Sequence, residues 1–214
     1  GLRHAGKRQS GREKQAGRKR DQQLCRRMQA FAGRRWRRST APSSRLPAAP
    51  GSTAWTGTRS TPPALVAELI DGQVVPVRAH DVMGRGKTLA IGVPGAFTPV
   101  CTERHVPGLV LNAERLRRSG YDNLVCIVAS DPFTTHAWAK QLDPKGWVRF
   151  VSDGNLNLCR AMALVTHEQR LFLGDRSERY MIIAVNGVIE TVRVEKQIAD
   201  YSCTQPDPFV IEGV

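Results

Sequence analysis

Residues 62–214 alternate short apolar runs with amphipathic stretches, and turn residues punctuate them. Residues 65–70 and 74–78 flank Asp71-Gly72, a pair that favours the tight turn of a β-hairpin. Residues 88–93 form an apolar run stopped by Pro94-Gly95, the pattern of a buried strand. A helix is predicted over 101–118, because Leu109, Ala113 and Leu116 fall on one face and Gly120 ends it. Residues 124–129 read as the next buried strand, 133–141 as a helix, 148–151 as a strand and 155–162 as a short helix. Residues 180–185 and 188–194 bracket Asn186-Gly187, the strongest two-residue hairpin signal. Strands that alternate with helices and close on a hairpin predict an α/β fold, a mixed central sheet flanked by helices.

Residues 1–61 carry almost no apolar periodicity and are rich in Arg, Gly, Ser, Ala and Pro. Such a segment cannot bury enough surface to offset the entropy of ordering. It is expected to be a disordered basic leader ahead of one domain over 62–214. The charge follows the same division. The whole chain carries +13, but residues 1–60 hold 16 Lys and Arg against 2 acidic residues, and the remainder is nearly neutral. A nucleic-acid-binding domain carries its positive charge on a folded face, so nucleic acid is not an expected partner. From Met28 to Ser60 there are six arginines and no acidic residue. That is the composition of a transit peptide, which predicts delivery to a mitochondrion or plastid, with translation beginning at Met28 and residues 1–27 lying upstream. A basic tail on a cytoplasmic protein is the alternative. No stretch approaches the roughly 20 apolar residues of a membrane helix, so no membrane partner is expected.

The chain has five cysteines, Cys25, Cys101, Cys126, Cys159 and Cys203, widely spaced and without a Cys-x-x-Cys pair. An odd, scattered set argues against a disulfide-stapled secreted scaffold and against a zinc site. The histidines show no metal-ligand spacing either, so neither a metal nor a cofactor is expected. Cys101 stands out by its setting. It follows a strand and a Pro/Gly loop and opens a helix, where unpaired N–H groups favour an anion. Thr98 stands three residues earlier, where its hydroxyl can reach the sulfur or a bound oxygen atom. Pro94 and Pro99 stiffen the loop. Pro107-Gly108 weakens the first turn, which suits a sulfur that must leave its pocket. Taken alone, these features also fit a buried structural cysteine.

Pro94-x-x-x-Thr98-x-x-Cys101 resembles the active-site signature of the peroxiredoxins. The fuller string from Val93 to Cys101, followed by His105-Val106-Pro107-Gly108, is similar to the type II, atypical two-cysteine subfamily. The similarity continues through Ser130-Asp131-Pro132-Phe133, Ala137-Trp138, Ser152-Asp153-Gly154 and Arg176-Ser177-Glu178-Arg179-Tyr180, covering about residues 63–195. The resemblance implies a thioredoxin-like fold and reduction of hydrogen peroxide and alkyl hydroperoxides. It implies that Arg179, the arginine directly before an aromatic residue, completes the pocket, rather than Arg176. It also implies that the Cys101 thiolate attacks the peroxide and becomes a sulfenic acid, which a second thiol converts to a disulfide. Thioredoxin, glutaredoxin or glutathione then restores the thiol. The subfamily further implies a homodimer.

The second thiol stays open between Cys126, Cys203 and an external one. Cys126 lies 25 residues after Cys101, the plant-like spacing, but in a buried strand sequence. Cys203 lies 16 residues after Gly187, where animal-like members carry a resolving cysteine, in a loop-like context. The tail after Val194 departs from the common pattern. Cys159 reads as packing. A non-enzymatic redox sensor using Cys101 is the alternative function, and a disulfide exchanger is disfavoured by the missing Cys-x-x-Cys. Gly84-Arg85-Gly86-Lys87-Thr88 is not a phosphate loop, because Asp81 stands where the first glycine is required and a strand follows the segment instead of preceding it.

Overall fold

The computed structural model describes residues 60–207. The basic leader up to residue 59, its Met28 start and residues 208–214 lie outside the described residues, while Ser60 bridges to Val188 and Thr61 is buried with its hydroxyl donating to the Gly187 carbonyl at 2.9 Å. Leu65–Ile70 (β1) and Gln73–Arg78 (β2) pair antiparallel. Their turn holds Asp71 at φ 49° and Gly72 at φ 78°, the two left-handed positions a tight hairpin needs. A single helical turn and a half, Ala79–Met83 (α1), leads into Lys87–Val93 (β3). A π-helical turn, Cys101–His105, continues into Val106–Arg118 (α2). Then follow Asn123–Val128 (β4), Pro132–Leu142 (α3), Arg149–Ser152 (β5) and Asn157–Ala161 (α4). A two-stranded ribbon, Val165–Glu168 (β6) with Gly174–Ser177 (β7), precedes the closing hairpin of Tyr180–Val185 (β8) and Val188–Val194 (β9).

The main sheet runs β2-β1-β5-β4-β3-β8-β9. β3, β4 and β5 are parallel, joined through α2 and α3, and the outer pairings are antiparallel. This mixed sheet with helical crossovers is the expected α/β, thioredoxin-like architecture. The period-two alternation of strand side chains divides the core into two layers. Leu89, Ile91 and Val93 of β3, Leu124, Cys126 and Val128 of β4, and Met181 and Ile183 of β8 pack with α2 on one face. Ala90, Val125, Ile127, Tyr180 and Ile182 pack with α4 on the other. Both central strands are buried on two faces, which is why they read as unbroken apolar runs.

Two elements escape the sequence pattern. α1 is only five residues long, too short to show a 3.6-residue period. The ribbon is written Val-Thr-His-Glu and Gly-Asp-Arg-Ser, without an apolar alternation to betray it. It matters because it delivers the chain to Arg179 at the mouth of β8.

One glycine is set by a neighbour. Gly92 lies opposite Tyr180 in the β3–β8 pairing, and a Cβ there would meet the Tyr180 ring at 2.0 Å. The ring fills the space a side chain would take. Gly92→Ala is therefore expected to destabilise the fold by about 1–3 kcal/mol through overpacking. Denaturant unfolding checks this, and an unchanged midpoint would contradict it.

Candidate active site

The site forms where the chain leaves β3. Pro94 and Gly95 are buried, and Ala96 N–H donates to Ser130 Oγ at 3.1 Å, fastening the loop to the end of β4. Thr98 Oγ1 donates to the Gly95 carbonyl at 2.9 Å, and Thr102 N–H donates to the Thr98 carbonyl at 2.9 Å. The Thr98 proton is thus committed to the loop, and its lone pairs remain as acceptors. Between them Phe97 takes the left-handed φ of 59°, a costly conformation for an aromatic residue, with its ring 6.3 Å from that of Trp138. Trp138 is buried and donates Nε1–H to Thr102 Oγ1 at 3.2 Å, so it belongs to the core beneath the loop.

Cys101 opens the π-helical turn and is fully buried. Val106 N–H donates to the Cys101 carbonyl, one residue further than in an α-helix. Pro107 explains the wide turn. It has no N–H to offer the carbonyl four residues back, and its ring would crowd that carbonyl. The weakness expected from Pro107-Gly108 is therefore a register change rather than a break.

Arg179 reaches this sulfur from the start of β8. Its Nη1 and Nη2 donate to Cys101 Sγ at 3.4 and 3.5 Å, and Arg179 itself is 2% exposed. The guanidinium thus faces the sulfur with two donors, placed to meet negative charge that develops there during reaction. Arg176 points elsewhere and donates to the Ala129 carbonyl at 3.2 Å. The Arg179 guanidinium also meets Ile198, whose carbonyl accepts from Nη2 at 2.7 Å and from Nε at 3.2 Å. Its Nη1 lies 3.0 Å from His105 Nδ1.

His105 was part of the recognised string but had no role from the sequence. Its signal is the spacing: four residues after Cys101, it falls on the same side of the turn. It is fully buried, and its Nε2 lies 3.0 Å from the Thr204 carbonyl. Burial first, and the Arg179 cation second, lower its pKa to about 3. The ring is therefore neutral at physiological pH. Because Arg179 can only donate, Nδ1 accepts and Nε2–H donates to Thr204. The imidazole orients the guanidinium without adding a second positive charge.

The other thiols are placed differently. Cys126 is buried in β4, in the same apolar layer as Cys101. Burial first, and the charge on Cys101 next, push its thiol well up, against the Arg179 cation. Cys203 is half-buried in the loop after β9, with Sγ donating to the Val194 carbonyl at 3.5 Å. Burial and the Glu195 carboxylate raise its pKa. Cys159 packs on the opposite sheet face, 3.7 Å from Tyr180 Oη. No group of three or more His, Cys, Asp or Glu residues among the described residues could hold a metal ion.

A buried cysteine at a helix start, a guanidinium on its sulfur and a thioredoxin-like sheet define a thiol-redox protein. The redoxin family model matches residues 50–207. The chain is 38% identical over 127 residues to the chloroplastic peroxiredoxin-2E of Arabidopsis thaliana, a match covering 58% of this chain but 54% of that protein. It is 35% identical over 120 residues to peroxiredoxin-2C of Oryza sativa subsp. japonica, covering 56% of this chain and 74% of the rice protein. The crystal structure of reduced Prx3 in complex with hydrogen peroxide from Vibrio vulnificus superposes with a TM-score of 0.66 at 26% identity, over 73% of this chain and 97% of that one. The chain belongs to the redoxin family and, within it, to the type II peroxiredoxins, a class of thiol-dependent peroxidases.

A neutral buried histidine has a consequence for acid stability. Its folded pKa lies below the ordinary 6.5, so the unfolded chain binds the extra proton between about pH 3 and 6.5. Stability from this group is complete above 6.5 and lost as pH falls toward 3. His105→Gln is expected to flatten the fall in stability between pH 6.5 and 4, measured by denaturant unfolding across that range. An acid limb as steep as the parent's would contradict the assignment.

Proposed function

We propose that this chain reduces hydroperoxides with Cys101 as the attacking group. The observation that carries the reading is the pair of N–H groups from buried Arg179 on Cys101 Sγ, at 3.4 and 3.5 Å. The sulfur attacks the terminal peroxide oxygen, the O–O bond breaks, and the other oxygen takes a proton and leaves as water or alcohol. Arg179 orients the peroxide and stabilises the charge building on the stretched bond, while Thr98 lone pairs accept from the peroxide hydroxyl. Pro94 keeps the loop in place. Cys101 is left as a sulfenic acid.

A second thiol then condenses with it, releasing water and leaving a disulfide. Cys203 is the internal candidate we favour. It is partly exposed on an irregular loop, and the next residue, Thr204, already touches His105. Cys126 would have to leave a central strand that pairs on both sides. Thioredoxin, glutaredoxin or glutathione closes the cycle by thiol–disulfide exchange, and glutathione, glutaredoxin or thioredoxin attacks Cys101 directly if no internal partner serves. The domain over 62–214 acts in a mitochondrion or plastid, as the acid-poor leader and the chloroplastic relative together suggest, and as a homodimer.

Cys101→Ser is expected to abolish hydroperoxide consumption in the presence of thioredoxin or glutaredoxin, and turnover that survives would contradict the reading. Intact mass after one equivalent of peroxide tests the resolving thiol. The parent and Cys126→Ser should lose two hydrogens to a disulfide, whereas Cys203→Ser should gain one oxygen instead. A disulfide in both single variants would rule out each as the sole partner.

A further inference from the structure

The chain beyond β9 returns across the active-site helix as a loop, residues 195–204, and one carboxylate holds it. Glu195 is 4% exposed. Its Oε1 accepts from the backbone N–H groups of Ser202, Cys203 and Thr204 at 2.7, 2.8 and 2.9 Å, and from Thr204 Oγ1 at 2.9 Å. Its Oε2 accepts from Ser202 Oγ at 2.8 Å. Burial would raise its pKa, but these hydrogen bonds from Ser202 and Thr204 outweigh burial and bring it down to about 2. Glu195 is ionised throughout the working range, and three successive amides converge on it.

The loop so gathered carries groups that the site uses. The Ile198 carbonyl takes two hydrogen bonds from Arg179, and the Thr204 carbonyl takes the one from His105. The Tyr201 ring lies 5.2 Å from that of His105, and the Arg104 guanidinium lies 4.9 Å from its centroid. At its own backbone Glu195 donates N–H to the Arg179 carbonyl at 2.9 Å, so the residue opposite the catalytic arginine also anchors the loop. Lys196, Gln197, Ala199 and Ser202 are exposed, and among the described residues the further bonds are Asp200 N–H to the Gln197 carbonyl at 3.0 Å, Cys203 Sγ to the Val194 carbonyl at 3.5 Å and Gln205 Nε2 to the Tyr201 carbonyl at 3.3 Å.

We propose that Glu195 is a positioning residue for the peroxide reaction: it folds loop 195–204 into the one shape that sets Ile198 on Arg179 and Thr204 on His105. Removing the carboxylate leaves a cluster of inward amides without an acceptor, and they must open to water. The two carbonyls move with them, and the guanidinium loses the partners that aim it at Cys101. The proposal rests on the peroxidase reading, and it is specific in one respect: Glu195 acts through Arg179.

That gives a double-mutant test. Glu195→Ala and Glu195→Gln are each made in the parent and in Arg179→Lys, and the rate of Cys101 oxidation by hydrogen peroxide is measured in a single turnover. In the parent, Glu195→Ala is expected to slow oxidation about 10- to 100-fold, the scale of a misplaced reacting geometry. Glu195→Gln keeps one acceptor oxygen and should lose less, about 3- to 10-fold on the same scale. In Arg179→Lys both effects should shrink to within about 3-fold, since the group they act through is gone. Equal fold losses in the two backgrounds, or no loss in the parent, would overturn the proposal. If Glu195→Ala does not fold, Glu195→Gln carries the same comparison. The same proteins are treated with iodoacetamide, which reads the Cys101 thiolate without a peroxide. A parent that alkylates at Cys101 but does not react with peroxide refutes the peroxidase reading; the alkylation rates then decide the Glu195 role by the same loss of coupling.

Discussion

The structure turns on a buried cation held against a buried sulfur. Arg179 is 2% exposed and Cys101 is fully covered, so each must find its partners inside the protein. They are 78 residues apart in sequence. The sheet brings them together, because β3 delivers the loop to Cys101 and Arg179 directly precedes β8, its antiparallel neighbour. Tyr180, the next residue, lies across Gly92 in β3 and fixes the strand at that level. The register of two strands thus decides where the guanidinium lies.

A guanidinium has five N–H groups and cannot lose its charge. Two of its nitrogens face the sulfur, two face the Ile198 carbonyl and one also meets His105. A protonated imidazole in that position would repel it. Burial keeps His105 neutral, and the Thr204 carbonyl holds the tautomer that leaves Nδ1 free to accept. Negative charge enters one step back, at Glu195, where it anchors a loop instead of pairing with the arginine. A carboxylate directly on Arg179 would compete with the sulfur for the same donors. Neutral carbonyls orient the cation and leave its charge for the sulfur.

The fold was largely legible because its central strands are buried on both faces and its two hairpins carry Asp-Gly and Asn-Gly turns. Pro94, Thr98 and Cys101 were legible as one local motif, since they sit within eight residues of a single loop. Arg179 could be named only through the likeness of its surroundings to a known pocket; its spacing from Cys101 says nothing about proximity. His105 was visible as a spacing but not as a neutral acceptor, because that depends on burial. Glu195, Ile198 and Thr204 had no signature. Two of them meet the site through backbone carbonyls, which every residue possesses, and the third accepts from amides that converge only once the loop has closed. The polar ribbon β6–β7 was missed for a similar reason: its strands carry no apolar alternation.

The reactive sulfur we propose is Cys101, with the Arg179 guanidinium aimed at it. The most direct measurement is peptide mapping after brief exposure to one equivalent of hydrogen peroxide with dimedone, which captures sulfenic acids. A dimedone adduct is expected on the Cys101 peptide, strongly reduced in Arg179→Lys at equal time. An adduct confined to Cys126, Cys159 or Cys203, or Cys101 labelling indifferent to the loss of Arg179, would contradict it.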